Sequence, residues 1–159
     1  MTLVGIGFDS HRLVEGRRLV IGGIEIPNER GLDGHSDSDV LAHATIDALL
    51  GACGLGDIGE HFPDTDERWR DADSIVLLEE VVAMVVGQGM EIVNVDCTVI
   101  MEAPKLSPHR LAIRERLAGA LGLEPKRVNV KASTGERIGF VGRGEGVAAL
   151  AVASVRHAS

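Results

Sequence analysis

The chain of 159 residues has little cysteine, no excess of positive charge and no long apolar run, and each shortage removes a class of function. The two cysteines, Cys53 and Cys97, stand at neither redox nor metal-ligand spacing, which predicts buried free thiols in a reducing compartment rather than a disulfide framework. The longest apolar stretch, Val147 to Val155, falls far short of the ~20 residues a spanning helix needs, so no membrane segment is expected. Sixteen Lys and Arg against 24 Asp and Glu leave a formal net charge of −8. That balance argues against nucleic-acid binding, which relies on clustered cations. A phosphorylated small molecule remains a fitting partner only if metal ions invert the local sign. The first apolar strand begins almost at Met1, which leaves no room for a targeting peptide and makes cytoplasm the expected location. The glycine-rich stretch Gly139 to Gly146 has neither the spacing of a P-loop nor that of a dinucleotide fingerprint.

What is present is ordinary globular composition, with 45% hydrophobic and 25% charged residues, in one domain spanning 1–159. Strands and helices alternate without internal repeat. The pattern predicts strands over Leu3–His11, Arg18–Ile21, Ile24–Pro27, Ile92–Met101, Val128–Ser133 and Val147–Arg156. Val93, Val95, Cys97 and Val99 are expected on one side of the fourth strand. Helices are expected from a cap at Ser36 or Asp37 to about Ala52, and from Asp73 or Ser74 to Val86. A third should start at Ser107, with Pro108 in its first turn. The segment Gly54–Asp66 reads as a long functional loop. Together these elements predict an α+β two-layer sandwich, a mixed sheet with helices on one face. The uncovered apolar face then calls for copies of the chain, most simply as a cyclic oligomer.

The first strand places Val4, Ile6 and Phe8 on one face and Gly5, Gly7, Asp9 and His11 on the other. The glycines clear that face for close approach of another backbone or a ligand. On the helix that follows, Asp39, His43 and Asp47 recur at i, i+4 spacing, with Asp39 or Asp47 expected to orient His43. Asp9, His11 and His43 form a three-ligand metal site with an open position. Each piece taken singly is more often structural, and their combination with phosphate-handling segments is what points to chemistry. Those segments are Gly54–Asp64, Met101–Ser107 with Lys105 before a helix N-terminus, and Lys131–Glu136 with two hydroxyls and a carboxylate for a hard cation. His61, His109 and His157 lack partners at ligand spacing and read as surface groups, and Trp69 as packing.

Seven segments in order resemble one enzyme family over nearly the whole chain: G-F-D-S-H (Gly7–His11), H-S-D-S-D-V-L-A-H (His35–His43), D-A-L-L-G-A (Asp47–Ala52), G-D-I-G-E-H-F-P-D-T-D (Gly56–Asp66), A-P-K-L (Ala103–Leu106), N-V-K-A-S-T-G-E (Asn129–Glu136) and G-R-G-E-G (Gly142–Gly146). The resemblance is to the 2-C-methyl-D-erythritol 2,4-cyclodiphosphate synthases of the non-mevalonate isoprenoid pathway. It implies that Asp9, His11 and His43 hold Zn²⁺, or Mn²⁺ or Co²⁺, and that Glu136 holds Mg²⁺ or Mn²⁺ bridging the substrate's phosphates. It assigns His35, Ser36, Asp57, Ile58, Gly59, Phe62 and Asp64 to the methylerythritol phosphate. Ala103, Lys105, Leu106, Ala132, Ser133 and Thr134 go to the cytidine nucleotide. His35, Ser36, Asp57, Lys105, Thr134 and Glu136 are the implied catalytic set. Homotrimers with active sites between subunits are implied too, with Phe8 and Arg143 near an axis that can hold an isoprenoid diphosphate, and Phe140 and Arg143 counted among the substrate-binding residues. The implied reaction closes a cyclic diphosphate and releases CMP, with no protein nucleophile. Ser38 stands where the family commonly has Gly, and Ser133 and Gly135 stand where Thr is common. Two other classes stay open on the residues alone: a zinc hydrolase with His35 or Asp57 as base, and a non-catalytic trimeric binding module.

Overall fold

A computed structural model describes residues 1–159. In chain order the elements are β1 (Thr2–Glu15), β2 (Leu19–Ile21), β3 (Ile24–Ile26), β4 (Arg30–Leu32), α1 (Val40–Cys53), α2 (Ile58–His61), α3 (Ser74–Gly87), β5 (Met90–Ile100), α4 (Arg110–Leu121), β6 (Val128–Ser133), α5 (Gly139–Gly142) and β7 (Gly146–His157). The main sheet has the order β4-β1-β7-β5-β6, antiparallel except for the parallel β5–β6 pair, and β2–β3 form a separate hairpin. No helix is long and apolar enough to cross a membrane.

The sheet meets α1 through a lane of small residues. Gly5 and Gly7 on β1 face Ala44, Ala48 and Ala52 on α1, so closely that a Cβ on Gly7 would lie 1.8 Å from the Ala44 carbonyl oxygen. The helix backbone thus rests directly on the strand. Asp39 caps α1 through the amides of Leu41 and Ala42 and also accepts from Gly22 and Gly23 at 2.8 and 2.7 Å. One buried carboxylate therefore fastens the β2–β3 hairpin to the start of α1. The core lies between the sheet and α1, α3 and α4, with Leu41, Leu49, Leu78, Leu117 and Val99 sealed from solvent. The opposite face of the sheet is open: Val4, Ile6 and Phe8 are 65, 69 and 55% exposed, and Leu150 and Val152 of β7 are exposed beside them.

Several boundaries differ from the sequence expectation. The cap of α1 is Asp39, not Ser36 or Asp37, because the Ser36 hydroxyl is taken by the Ser38 amide and His43, while Asp37 is drawn into bonds with Ala72 and Ser74. A register shift between Ile92 and Asn94 puts Ile92 rather than Val93 in line with Val95, Cys97 and Val99. Ser107 makes no cap; it opens a 3₁₀ turn, and α4 starts only at Arg110. The loop after Gly54 contains the short α2, and β4 was not expected. Cys53 is only partly buried, whereas Cys97 is buried.

Candidate metal and phosphate site

The odd-numbered face of β1 and the turn-and-helix segment 33–43 bring the three expected ligands together. Asp9 Oδ2 lies 3.0 Å from His11 Nε2 and 3.1 Å from His43 Nδ1. The three donor atoms lie within 4.8 Å of one another. Both imidazoles are oriented from behind. His11 Nδ1 donates to the Asp33 carbonyl at 2.7 Å, and His43 Nε2 donates to Ser74 Oγ at 2.8 Å. Those bonds leave His11 Nε2 and His43 Nδ1 with lone pairs turned toward Asp9.

His11 Nε2 is buried and, although near Asp9, has no aligned hydrogen-bond partner. An orphaned nitrogen lone pair facing a carboxylate and a second imidazole is what a divalent cation would satisfy. The residues present therefore fit the metal. Burial alone would raise the Asp9 pKa, but the His11 and His43 rings, which can turn a proton toward Asp9 when no cation stands between them, outweigh it and hold the carboxyl at about 2. Burial likewise opposes protonation of His11, yet the Asp9 carboxylate, which a protonated ring would face, prevails and its pKa is raised.

Asp39 and Asp47 do not orient His43. Asp39 is consumed by four backbone amides, and Asp47 accepts from the Ile58 amide at 2.8 Å, which ties α2 to α1. The i, i+4 spacing was real, but each carboxylate was claimed by a backbone donor first. The partner of His43 is Ser74, at the start of α3, which no periodicity in the neighbourhood of His43 could reveal.

The triad opens into a cavity of about 430 Å³ lined by Asp9, His11, His35, Ser36, Ile58, Gly59, Phe62 and Asp64 among others. Trp69 joins this wall, packing edge-on to Phe62 at 5.1 Å between ring centres. That role, along with those of Gly34 and Leu77, was not legible in the sequence. His35 Nε2 sits 3.0 Å from the Asp66 carbonyl oxygen. Asp57 lies at the N-terminus of α2, accepting from the Glu60 amide, and does not line the cavity.

A second cavity of about 170 Å³ gathers Lys105, Leu106, Ala132, Ser133 and Thr134, with Glu102 and Arg110. Glu102 accepts from the Gly135 amide at 2.9 Å and so joins the two loops of this cradle. Ala103 is exposed beside it but outside the lining. Glu136 is exposed with φ 50, held by a 3.0 Å bond from the Thr134 hydroxyl. Its remaining carboxylate oxygen is a hard donor suited to Mg²⁺. Gly135 cannot carry a threonine on this backbone, since a Cβ there would lie 2.6 Å from the Gly142 amide nitrogen. Ser38, at φ 59, occupies a left-handed conformation that glycine adopts more easily.

The two cavities share no residue and lie on the same end of the sheet. Asp9 on β1 and Val99 on β5 both pair with Ala149 on β7, so the strands that carry them are roughly 10 Å apart. Phe140 borders a further hollow with Ser10, His11, Arg12 and Glu145, and Arg143 is paired to Glu145 at 2.8 Å. Cys97 is no nucleophile: burial, with nearby Asp96, pushes its thiol up to about 12.

The YgbB family pattern matches residues 2–156. Proteins called 2-C-methyl-D-erythritol 2,4-cyclodiphosphate synthase include one from Symbiobacterium thermophilum, 58% identical over 96% of this chain and 98% of that protein. One from Laribacter hongkongensis is 62% identical over 94% of this chain and 92% of its own length. Among solved structures, the bifunctional IspDF of Campylobacter jejuni superposes on 99% of this chain with TM-score 0.95 and 43% identity, the chain spanning 42% of that longer protein. A 2C-methyl-D-erythritol-2,4-cyclodiphosphate synthase bound to CDP superposes on 96% of this chain, and on 99% of its own, with TM-score 0.89 and 40% identity.

Proposed function

The chain belongs to the YgbB family, and on that premise we propose how its residues perform the reaction of a 2-C-methyl-D-erythritol 2,4-cyclodiphosphate synthase. The substrate is 4-diphosphocytidyl-2-C-methyl-D-erythritol 2-phosphate. An oxygen of its 2-phosphate attacks the β-phosphorus, the bond from that phosphorus to the bridging oxygen breaks, and CMP leaves with the electron pair. The nucleophile is already an anion, so the protein has to position and neutralise rather than supply a base.

The observation that carries this reading is the convergence of Asp9, His11 and His43, with the orphaned His11 nitrogen, at the mouth of the 430 Å³ cavity. Zn²⁺ (or Mn²⁺ or Co²⁺) there, and Mg²⁺ or Mn²⁺ at Glu136, would draw charge from the phosphate oxygens as they meet in line. His35 and Ser36 hold the methylerythritol phosphate near the triad. Ile58, Phe62 and Trp69 wall it from water. Lys105, Ser133 and Thr134 bind the nucleotide's phosphates through a cation and hydroxyls. The roughly 10 Å between the two cradles within one chain favours sites completed by a neighbouring copy. The exposed Val4, Ile6, Phe8, Leu150 and Val152 supply the apolar face for a homotrimer. The hollow beside Phe140 is the place for an isoprenoid diphosphate near its axis, and the cytoplasm is the expected compartment.

A hydrolase would need a base beside the triad. Asp57 is spent on capping α2 outside the cavity, and His35 already bonds the Asp66 carbonyl. The test is formation of CMP and cyclic diphosphate from the diphosphocytidyl substrate, before and after chelation. Equimolar products that vanish with chelator, return with Zn²⁺ and Mg²⁺, and are absent in a folded His43→Ala variant are the expected result. Water-derived oxygen in the product would favour hydrolysis. Nucleotide binding without turnover in the intact protein would favour a binding module.

A further inference from the structure

We infer that Ser74 and Asp37 form a relay that positions His43 as a metal ligand, a role that rests on the metal site proposed above. His43 presents Nδ1 to Asp9, so its remaining proton sits on Nε2 and needs an acceptor. Ser74 Oγ is that acceptor at 2.8 Å, closer and better sealed than Ser36 Oγ at 3.3 Å. Ser74 is fully buried, so its hydroxyl has no water to turn to. Its own proton goes to Asp37 Oδ1, while its backbone amide donates to Asp37 Oδ2 at 3.0 Å. Asp37 therefore grips both donors of Ser74, which leaves the Oγ lone pairs aimed at the imidazole in one orientation.

The result is a carboxylate–hydroxyl–imidazole–metal series. The carboxylate polarises the hydroxyl, the hydroxyl holds the ring and its tautomer, and ligand basicity at Nδ1 rises. The relay also joins three distant parts of the chain: the loop before α1, α1 itself, and the first residue of α3. The residues 54–73 that wall the cavity lie between the last two, so their closure and the metal's geometry share an anchor. Ser74 is not the cap of α3, since Asp73 accepts from the Ile75 amide at 2.9 Å, and losing its hydroxyl leaves the helix start intact.

The test measures Zn²⁺ affinity by chelator competition, and the exchangeable imidazole protons of the Co²⁺-loaded protein by NMR. Ser74→Ala is expected to weaken Zn²⁺ binding by about 10–100-fold and to speed solvent exchange of the His43 Nε2 proton, with the His11 proton unchanged. Asp37→Asn keeps one carbonyl acceptor for Ser74 but sets an amide NH2 against its second donor and lacks the charge, and is expected to fall between. Ser36→Ala should leave affinity close to the parent's. Parental affinity and proton exchange in Ser74→Ala would overturn the relay, as would a larger loss in Ser36→Ala. Should Ser74→Ala fail to fold, unchanged affinity in the isosteric Asp37→Asn overturns it instead. A parent that binds no Zn²⁺ would sink the metal site itself, an outcome distinct from a parent that binds normally and variants that do too.

Discussion

Replacing Gly7 with alanine adds one methyl group that touches no ligand, and it should abolish the metal site. A Cβ at this position would lie 1.8 Å from the Ala44 carbonyl oxygen and 2.8 Å from the Ala48 amide nitrogen. Both are helix backbone, which cannot step aside as a side chain would. Reaching ordinary contact demands a retreat of α1 from β1 by roughly 1.5 Å in a close-packed interior. Asp9 and His11 ride on β1 while His43 precedes Ala44 on α1, so the retreat opens the triad by a comparable distance. Metal sites tolerate about ±0.2 Å in ligand distance, and Zn²⁺ affinity should fall by more than about 100-fold, beyond the usual loss of an orienting partner. Overpacking of this kind costs about 1–3 kcal/mol, which lowers the melting temperature by roughly 2–12 °C in a chain of this size. Metal titration and thermal unfolding read the two effects together. Gly119→Ala is the control: its Cβ meets nothing within 4 Å, in the last turn of α4. It should leave metal binding alone and stabilise by up to about 1 kcal/mol. A Gly7→Ala protein with parental zinc affinity and melting temperature would refute the argument that direct helix-on-strand contact sets the triad.

Lys105→Ala should weaken CDP binding by about ten- to a hundredfold, the worth of a hydrogen bond to a charged group, while zinc affinity stays parental; calorimetric titration separates the two. In metal-free protein, the Asp9 pKa lies below its unfolded value of 3.8, at about 2. Its stabilisation is therefore complete above pH 3.8 and lost as pH falls toward 2, which Asp9→Asn should remove from the acid limb of a stability–pH curve. The His11 pKa is raised above 6.5, so its stabilisation of metal-free protein is complete below 6.5 and lost as pH rises through the folded value. Zinc, competing with that proton, should bind more tightly over the same rise in pH. Ile6→Asp puts a charge on the open face of the sheet, where Ile6 is 69% exposed. Sedimentation should show a monomer, with zinc binding kept and turnover lost; an active monomer would contradict sites completed between copies.

Period-two alternation in β1 predicted that Asp9 and His11 share a face, and period 3.6 in α1 predicted a buried apolar side with His43 on another. Both hold because strand pleat and helix pitch are local properties of the backbone. The alternating strands and helices likewise carried the two-layer arrangement, and the open apolar face followed from residues that no element of the chain could cover. What local pattern could not decide was which of several polar groups wins a partner. Asp39 and Asp47 lay at ideal spacing from His43, yet backbone amides from the β2–β3 hairpin and from α2 took both carboxylates. The imidazole went to Ser74, 31 residues away. The same holds for the caps: Ser36 and Asp37 were credible starts for α1 until the Ser38 amide and His43 took the Ser36 hydroxyl and the approach of α3 drew off Asp37, leaving Asp39. Ser107 lost its cap because a 3₁₀ turn intervened. Residue type and spacing announce the chemistry a chain can perform. Hydrogen-bond partners are allotted by competition among groups far apart in sequence, and only the packed chain brings those competitors within reach of one another.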